Sequence, residues 1–134
     1  MQQVRSQTRV STQDEWYRWM VQSVSGYAIF STDVHGRIVT WDEGAERLFQ
    51  YRRDDVLGED ARFIFTPEDI AKHAPEAEFA DATENRCAID ERWHVKKDGT
   101  IFWASGLMMR LLDDHRRHVG FIKIIRDCTD EKRK

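Results

Sequence analysis

Cysteine is scarce in this chain. Cys87 and Cys128 are the two cysteines in 134 residues, far apart and in no C-x-x-C pair. A disulfide framework or a cysteine zinc site is therefore not expected, and both thiols read as small apolar packing groups. Long apolar runs are also missing, so no membrane span is expected. The opening stretch MQQVRSQTRVSTQDEW holds no apolar secretory core, which makes a cytoplasmic location the expectation. Neither sign of charge dominates: 21 Lys and Arg against 24 Asp and Glu leave −3, no global electrostatic argument for nucleic acid or an anionic membrane as partner. Internal repeats, low-complexity tracts, a nucleophile elbow, a P-loop and a zinc-binding helix are all absent from the sequence. What remains is 40% apolar and 34% charged, ordinary for one globular domain with a real core.

What is present is a hairpin-rich C-terminal third. Residues 92–107, RWHVKKDGTIFWASGL, set two apolar-aromatic runs about Lys97-Asp98-Gly99-Thr100. Asp-Gly between such runs predicts a tight hairpin, because the turn needs a positive φ that glycine adopts without a Cβ clash. A second hairpin is predicted where Leu111-Leu112 enters Asp113-Asp114-His115-Arg116-Arg117 and Val119 to Ile125 returns. Three strands follow, at about 88–96, 100–112 and 118–127. Nearer the N-terminus, Tyr27 to Asp33 and Arg37 to Trp41 form another hairpin around Val34-His35-Gly36.

Short helices are predicted between the hairpins. Glu43 to Phe49 buries Ala45, Leu48 and Phe49, and Arg53 to Leu57 makes a turn closed by Gly58. Residues 59–65 connect, carrying Phe63, Ile64 and Phe65. Thr66-Pro67-Glu68-Asp69 starts a helix with a threonine cap and proline at the first position; Ala74-Pro75-Glu76 restarts it to about Glu84, burying Phe79. Ser11 or Thr12 caps an N-terminal helix from about Gln13, with Trp16, Trp19, Met20, Ser23 and Val24 on one face and Ser25-Gly26 ending it. Thr129-Asp130-Glu131 begins a last helix. The order predicts an α+β domain: a five-stranded antiparallel sheet with short helices on one face and the N-terminal amphipathic helix packing on the outer face. The expected divisions are a tail and cap helix over 1–25, a domain over 26–129, and the start of a linker helix over 130–134.

Several motifs fall in a fixed order. They are Asp33-x-x-Gly36-Arg37-Ile38-Val39-x-Trp41, Ala45-Glu46, Phe49-x-Tyr51, Val56-Leu57-Gly58, Lys97-Asp98-Gly99-Thr100 with Phe102-Trp103, and Gly120-Phe121 leading to Arg126-Asp127-x-Thr129. In that order and spacing the chain resembles a PAS domain with its C-terminal PAC segment over about residues 24–130. Thr66-Pro67-Glu68-Asp69 and the run from Asp90-Glu91-Arg92-Trp93-His94 to Ser105-Gly106 resemble PAS domains attached to bacterial two-component sensor histidine kinases. The resemblance implies a non-catalytic sensor of a small molecule, light or redox state, or a passive dimerising relay, with a trailing helix continuing into an output domain.

Strand parity sorts the side chains into two faces. Phe102, Ala104, Gly106 and Met108 share one face, as do Phe121 and Ile125; the resemblance puts these on the pocket side with His94. Phe63, Phe65 and Phe79 join them as lining residues, with Arg62, Arg92 or His94 as the polar reader of a small apolar or organic-acid ligand. The alternative is a cavity filled by its own aromatic side chains, leaving a ligand-free interaction module. A cysteinyl-flavin photocycle is rejected: the position that resembles the reactive cysteine is Ala61, and the flavin-reading positions are His94, Ala104 and Ile125. Two apolar readers would leave buried flavin polar groups unpaired, at about 1–3 kcal/mol each. Non-covalent flavin, and haem held through His73, are the remaining cofactor alternatives; for His73 a surface residue at the helix break before Pro75 is the favoured reading.

Trp93, Val95, Trp103, Leu107, Met109, Leu111, Ile122 and Ile124 take the opposite parity. So large an apolar patch requires cover. Trp16, Trp19 and Met20 offer part of it, and a symmetric homodimer through Trp93, Trp103, Leu107, Ile124 and the cap residues is expected to supply the rest. Asp127 and Thr129 are the expected relay into the linker helix. An enzyme would have to use Asp113, Asp114, His115 and His118, which sit in a hairpin turn without metal-ligand spacing, or Glu91 with His94, whose parities are opposite.

Overall fold

The computed structural model describes residues 13–16, 19–20 and 26–133. The cap at Ser11 or Thr12, the face positions Ser23 and Val24, and Ser25 fall outside them. Five antiparallel strands, β1 (Tyr27–Asp33), β2 (Ile38–Trp41), β3 (Cys87–Val95), β4 (Ile101–Leu112) and β5 (His118–Asp127), pair in the order β2-β1-β5-β4-β3. The linking helices are α1 (Glu43–Phe49), α2 (Arg53–Val56), a 3-10 turn (Ala61–Ile64), α3 (Pro67–Ala71) and α4 (Ala74–Asn85), and α5 (Thr129–Arg133) follows β5. The segment expected as a plain connector thus contains the 3-10 turn, because the Asp60 carboxylate accepts from Arg62 N and starts it.

Each hairpin turn is built around one aspartate. Asp33 accepts from the amides of His35 and Arg37 at 2.9 and 3.0 Å, Asp98 from Thr100, and Asp113 from His115 and Arg117. These backbone donors hold all three carboxyls below their usual range. Gly36 and Gly99 complete their turns at φ of 83° and 90°.

The expected division of faces is present. Phe102, Ala104, Met108 and Ile125 are buried, while Trp103, Leu107 and Ile124 point the other way and stay partly in solvent. The described cap residues are only partly covered. Trp16, Trp19 and Met20 are 60%, 47% and 52% exposed, so these described residues are not sealed against the sheet. Trp16 and Trp19 meet edge-on, their centroids 6.3 Å apart.

Candidate functional site

Between sheet and helices lies an aromatic core. Phe30 stands 5.0 Å from Trp41 between ring centroids, Phe49 is 5.4 Å from Phe102, and Phe65 is 4.9 Å from His94. Phe63, half-buried, closes the rim against Trp41 and Tyr51. Phe79 and Met108 belong to a second, smaller cluster with Ala82, Ala88 and Phe121.

Where the two clusters meet, the interior is charged. Asp90, His94, Lys123 and Glu78 are 0%, 0%, 1% and 4% exposed. Asp90 and His94 come from the inner parity of β3, Lys123 from β5 and Glu78 from α4. Lys123 and Asp90 are separated by β4, which offers Gly106 opposite Asp90 and Met108 opposite Lys123. Gly106 has its own constraint: a Cβ there would lie 1.9 Å from the Ile124 carbonyl oxygen.

The Lys123 ammonium bridges two carboxylates, 2.5 Å from Glu78 Oε1 and 3.0 Å from Asp90 Oδ2. It also sits 4.9 Å from the Phe65 ring centroid, a buried cation–π contact. Arg92 Nε donates to Asp90 Oδ1 at 2.9 Å. Its terminal nitrogens stand 3.5 Å from Glu78 Oε2 and 3.7 Å from Asp69 Oδ2, so Arg92 closes the cluster toward solvent. His94 is held at both ends, Nδ1 2.9 Å from the Ile64 carbonyl and Nε2 2.9 Å from Asp90 Oδ2. A carbonyl only accepts, so the Ile64 contact is a hydrogen bond when Nδ1 is the donor, and Nε2 faces the Asp90 carboxylate at the other end of the ring.

Burial pushes the Asp90 carboxyl up, but the charges of Lys123 and His94 outweigh it and hold the group well below the usual range. Glu78 goes the other way: burial raises it, Lys123 offsets only part, and the neighbouring Asp90 charge adds to the rise. Among the described residues, neither Glu78 oxygen nor Lys123 Nζ finds a hydrogen bond of good geometry. The two meet as an ion pair by distance alone.

Of the expected polar readers, Arg92 and His94 reach this cluster and Arg62 does not. Arg62 lies at the surface, paired with Glu76 at 2.9 Å. His73 is 80% exposed, at a left-handed break with φ of 60°, where it cannot reach the interior. Glu78, Asp90 and Lys123 were not anticipated. Their signal was available: Lys123 shares the parity of Phe121 and Ile125, Asp90 that of His94, and Glu78 lies one helical turn from Ala82.

At the far end of β5, Thr129 Oγ1 donates to Asp127 Oδ1 at 2.5 Å and accepts from Trp103 N at 2.9 Å. Lys132 of α5 covers the Trp103 ring at 4.2 Å, and Trp103 meets Trp93 edge-on. The expected relay residues thus join β4, β5 and α5, and the half-buried Trp103 is partly covered by its own chain.

The family model described as PAS domain matches residues 25–130. The chain belongs to the PAS family. The PAS domain is 33% identical over 119 residues to Two-component system protein A of Emericella nidulans, covering 89% of this chain and 17% of that protein. The chain therefore spans about a sixth of that relative. Among solved structures, it is similar to the PAS domain of a Colwellia psychrerythraea protein, with TM-score 0.75, 24% identity, and 85% and 96% of the two chains covered. A blue-light activated histidine kinase of Erythrobacter litoralis shares the fold at TM-score 0.63 and 20% identity, over 78% of this chain and 33% of that one. Together the family and the two-component relative assign this PAS domain a sensory signalling role. No helix of the described residues is long and apolar enough to cross a membrane.

The cofactors such a fold can hold do not fit these residues. A flavin would meet Ala104 and Ile125, both apolar and fully buried, while His94 is already engaged by Ile64 and Asp90. The rings of Phe49 and Phe102 occupy the adjoining space. A haem would need His73 turned inward, and its ring faces solvent near Glu76.

Proposed function

We propose that this PAS domain is the sensing and dimerising segment of a longer two-component protein. A change in its interior passes along β5 into a C-terminal output domain such as a histidine kinase. The carrying observation is the course of β5, which holds Lys123 in the buried cluster and ends four residues later at the clasp of Asp127 with Thr129 and Trp103. In this reading residues 1–25 lead in, 26–129 sense, 130–134 begin the linker, and the domain itself carries no catalysis. The coverage of only 17% of the fungal relative supports a longer parent. Signalling is a population shift between two linker orientations, which requires the input to stabilise one of them more than the other.

The second copy is proposed to sit on the outer face of the sheet. There Ile29, Ile124, Leu107 and Ile89 form one cross-strand row over four strands, flanked by Trp93 and Trp103. Ile89 and Leu107 are exposed, as an isologous contact would need. The tightly filled aromatic interior supports input through packing and charge more than through a large bound cofactor. An Asp127→Ala substitution in the full-length protein tests the relay: the domain should fold with an unchanged circular dichroism spectrum while regulation of the output is lost. Regulation unchanged from wild type would overturn it.

A further inference from the structure

We propose that the Glu78–Lys123–Asp90–His94–Arg92 cluster is a proton-binding site, occupied when α4 is seated on the sheet and emptied as α4 loosens. This names the input for the signalling reading above and rests on that reading only for its consequence, not for its own test.

The buried side chains of α4 are Pro75, Glu78 and Ala82, a stripe at helical spacing with little apolar area. Beside this stripe the half-buried Phe79 packs on Phe121, but Glu78 is the one charged side chain that α4 buries, so its state bears directly on docking. An ionised carboxylate buried without well-formed hydrogen bonds is costly, and protonation removes that cost. Lys123 does not lose its counter-charge in the process, because Asp90 remains 3.0 Å away.

The groups facing Glu78 come from every packed element. Lys123 of β5 and Arg92 of β3 stand within ion-pair distance of it; Asp69 of α3 is reached through Arg92, Asp90 of β3 through Lys123, and His94 of β3 through Asp90. The 3-10 turn supplies the Ile64 carbonyl, and β4 presents the uncharged Gly106 and Met108, with its Arg110 donating farther along α4 to the Thr83 carbonyl. Glu76, also on α4, turns away to Arg62. The cluster comes nearest to solvent at the partly exposed Asp69–Arg92 pair, whose Asp69 also lines a groove of about 650 Å³ with Thr66, Trp93 and Ile101.

The sign follows from burial. A group raised in the folded state stabilises the fold while protonated, and that stability is lost as pH rises through its folded titration. Docking of α4 is therefore tightest on the acid side and loosens as pH climbs above the ordinary glutamate value of 4.5.

The test is a carboxyl-carbon NMR titration of Glu78 in the folded 134-residue chain, with amide exchange of α4 followed over the same pH range. The expected result is a Glu78 midpoint above 4.5, with the Ala77 to Ala82 amides shifting at the same midpoint and losing protection beyond it after correction for intrinsic exchange. A midpoint at or below 4.5, or α4 amides that ignore the titration, overturns the proposal. A Glu78→Gln variant gives a second reading: its urea midpoint should stay flat from about pH 5 to about pH 8 while that of wild type declines. Parallel curves overturn the proposal, and if the variant does not fold the wild-type titration decides. No output domain is involved, so failure here is distinct from failure of the relay.

Discussion

Ile89 and Asp90 are neighbours on β3, and each breaks the usual partition in the opposite sense. The isoleucine is 66% exposed and the aspartate is fully buried. The inversion extends over the sheet. Lys123 and His94 are sealed inside, while Ile101, Leu107 and Leu111 face solvent. Buried charge and exposed large apolar surface are the two informative departures from ordinary burial, and here they occupy the two sides of the same strands. The inner side invests its polar groups in coupling α4 to β3 and β5. The outer side leaves apolar rows for which stability of a single copy gives no reason. A domain selected for stability alone would exchange the two.

The comparison breaks most sharply on the inside. Lys123→Met keeps the length of the side chain and removes the charge shared by Glu78 and Asp90. Taking one partner from a buried ionic group costs about 3–5 kcal/mol, and that loss should appear in urea unfolding near neutral pH. A cost below about 1 kcal/mol would place the cluster with exposed pairs instead. On the outside the expectation reverses. Ile89→Glu should change the unfolding free energy of the single copy by no more than about 0.5 kcal/mol, as solvent-facing substitutions usually do. It should nevertheless lower the mass of the proposed dimer in sedimentation. A variant that sediments with a dimeric wild type would remove Ile89 from the interface.

How far the sequence could be read differs between the same two faces. The hairpins were legible because Asp33, Asp98 and Asp113 each stand at the position from which a carboxylate can accept the turn's amides. The helix start at Thr66 was legible for a similar local reason, whereas the Asp42 cap of α1 was not read. Alternation grouped Phe102 with Ala104 and Phe121 with Ile125, and the resemblance put those faces inside. It passed over Lys123 and Asp90 because inner positions were searched for apolar residues, and the compensation for a buried charge lies on other elements. Glu78 and Lys123 are 45 positions apart in the chain, and nothing in the local pattern of either announces the other. His73 shows the converse. Its region made it a haem alternative, while the helix break before Pro75 favoured a surface residue, and the exposed ring at a left-handed backbone position agrees with the second.

The central claim is that Glu78 and Lys123 act as one unit joining α4 to β5, and a double-mutant cycle on Glu78→Gln and Lys123→Met tests it most directly. Urea unfolding of the four proteins near neutral pH should give a coupling energy of about 1 kcal/mol or more, the two single effects failing to add. Losses that add to within about 0.3–0.5 kcal/mol would mean the two side chains do not feel each other, and would contradict the account.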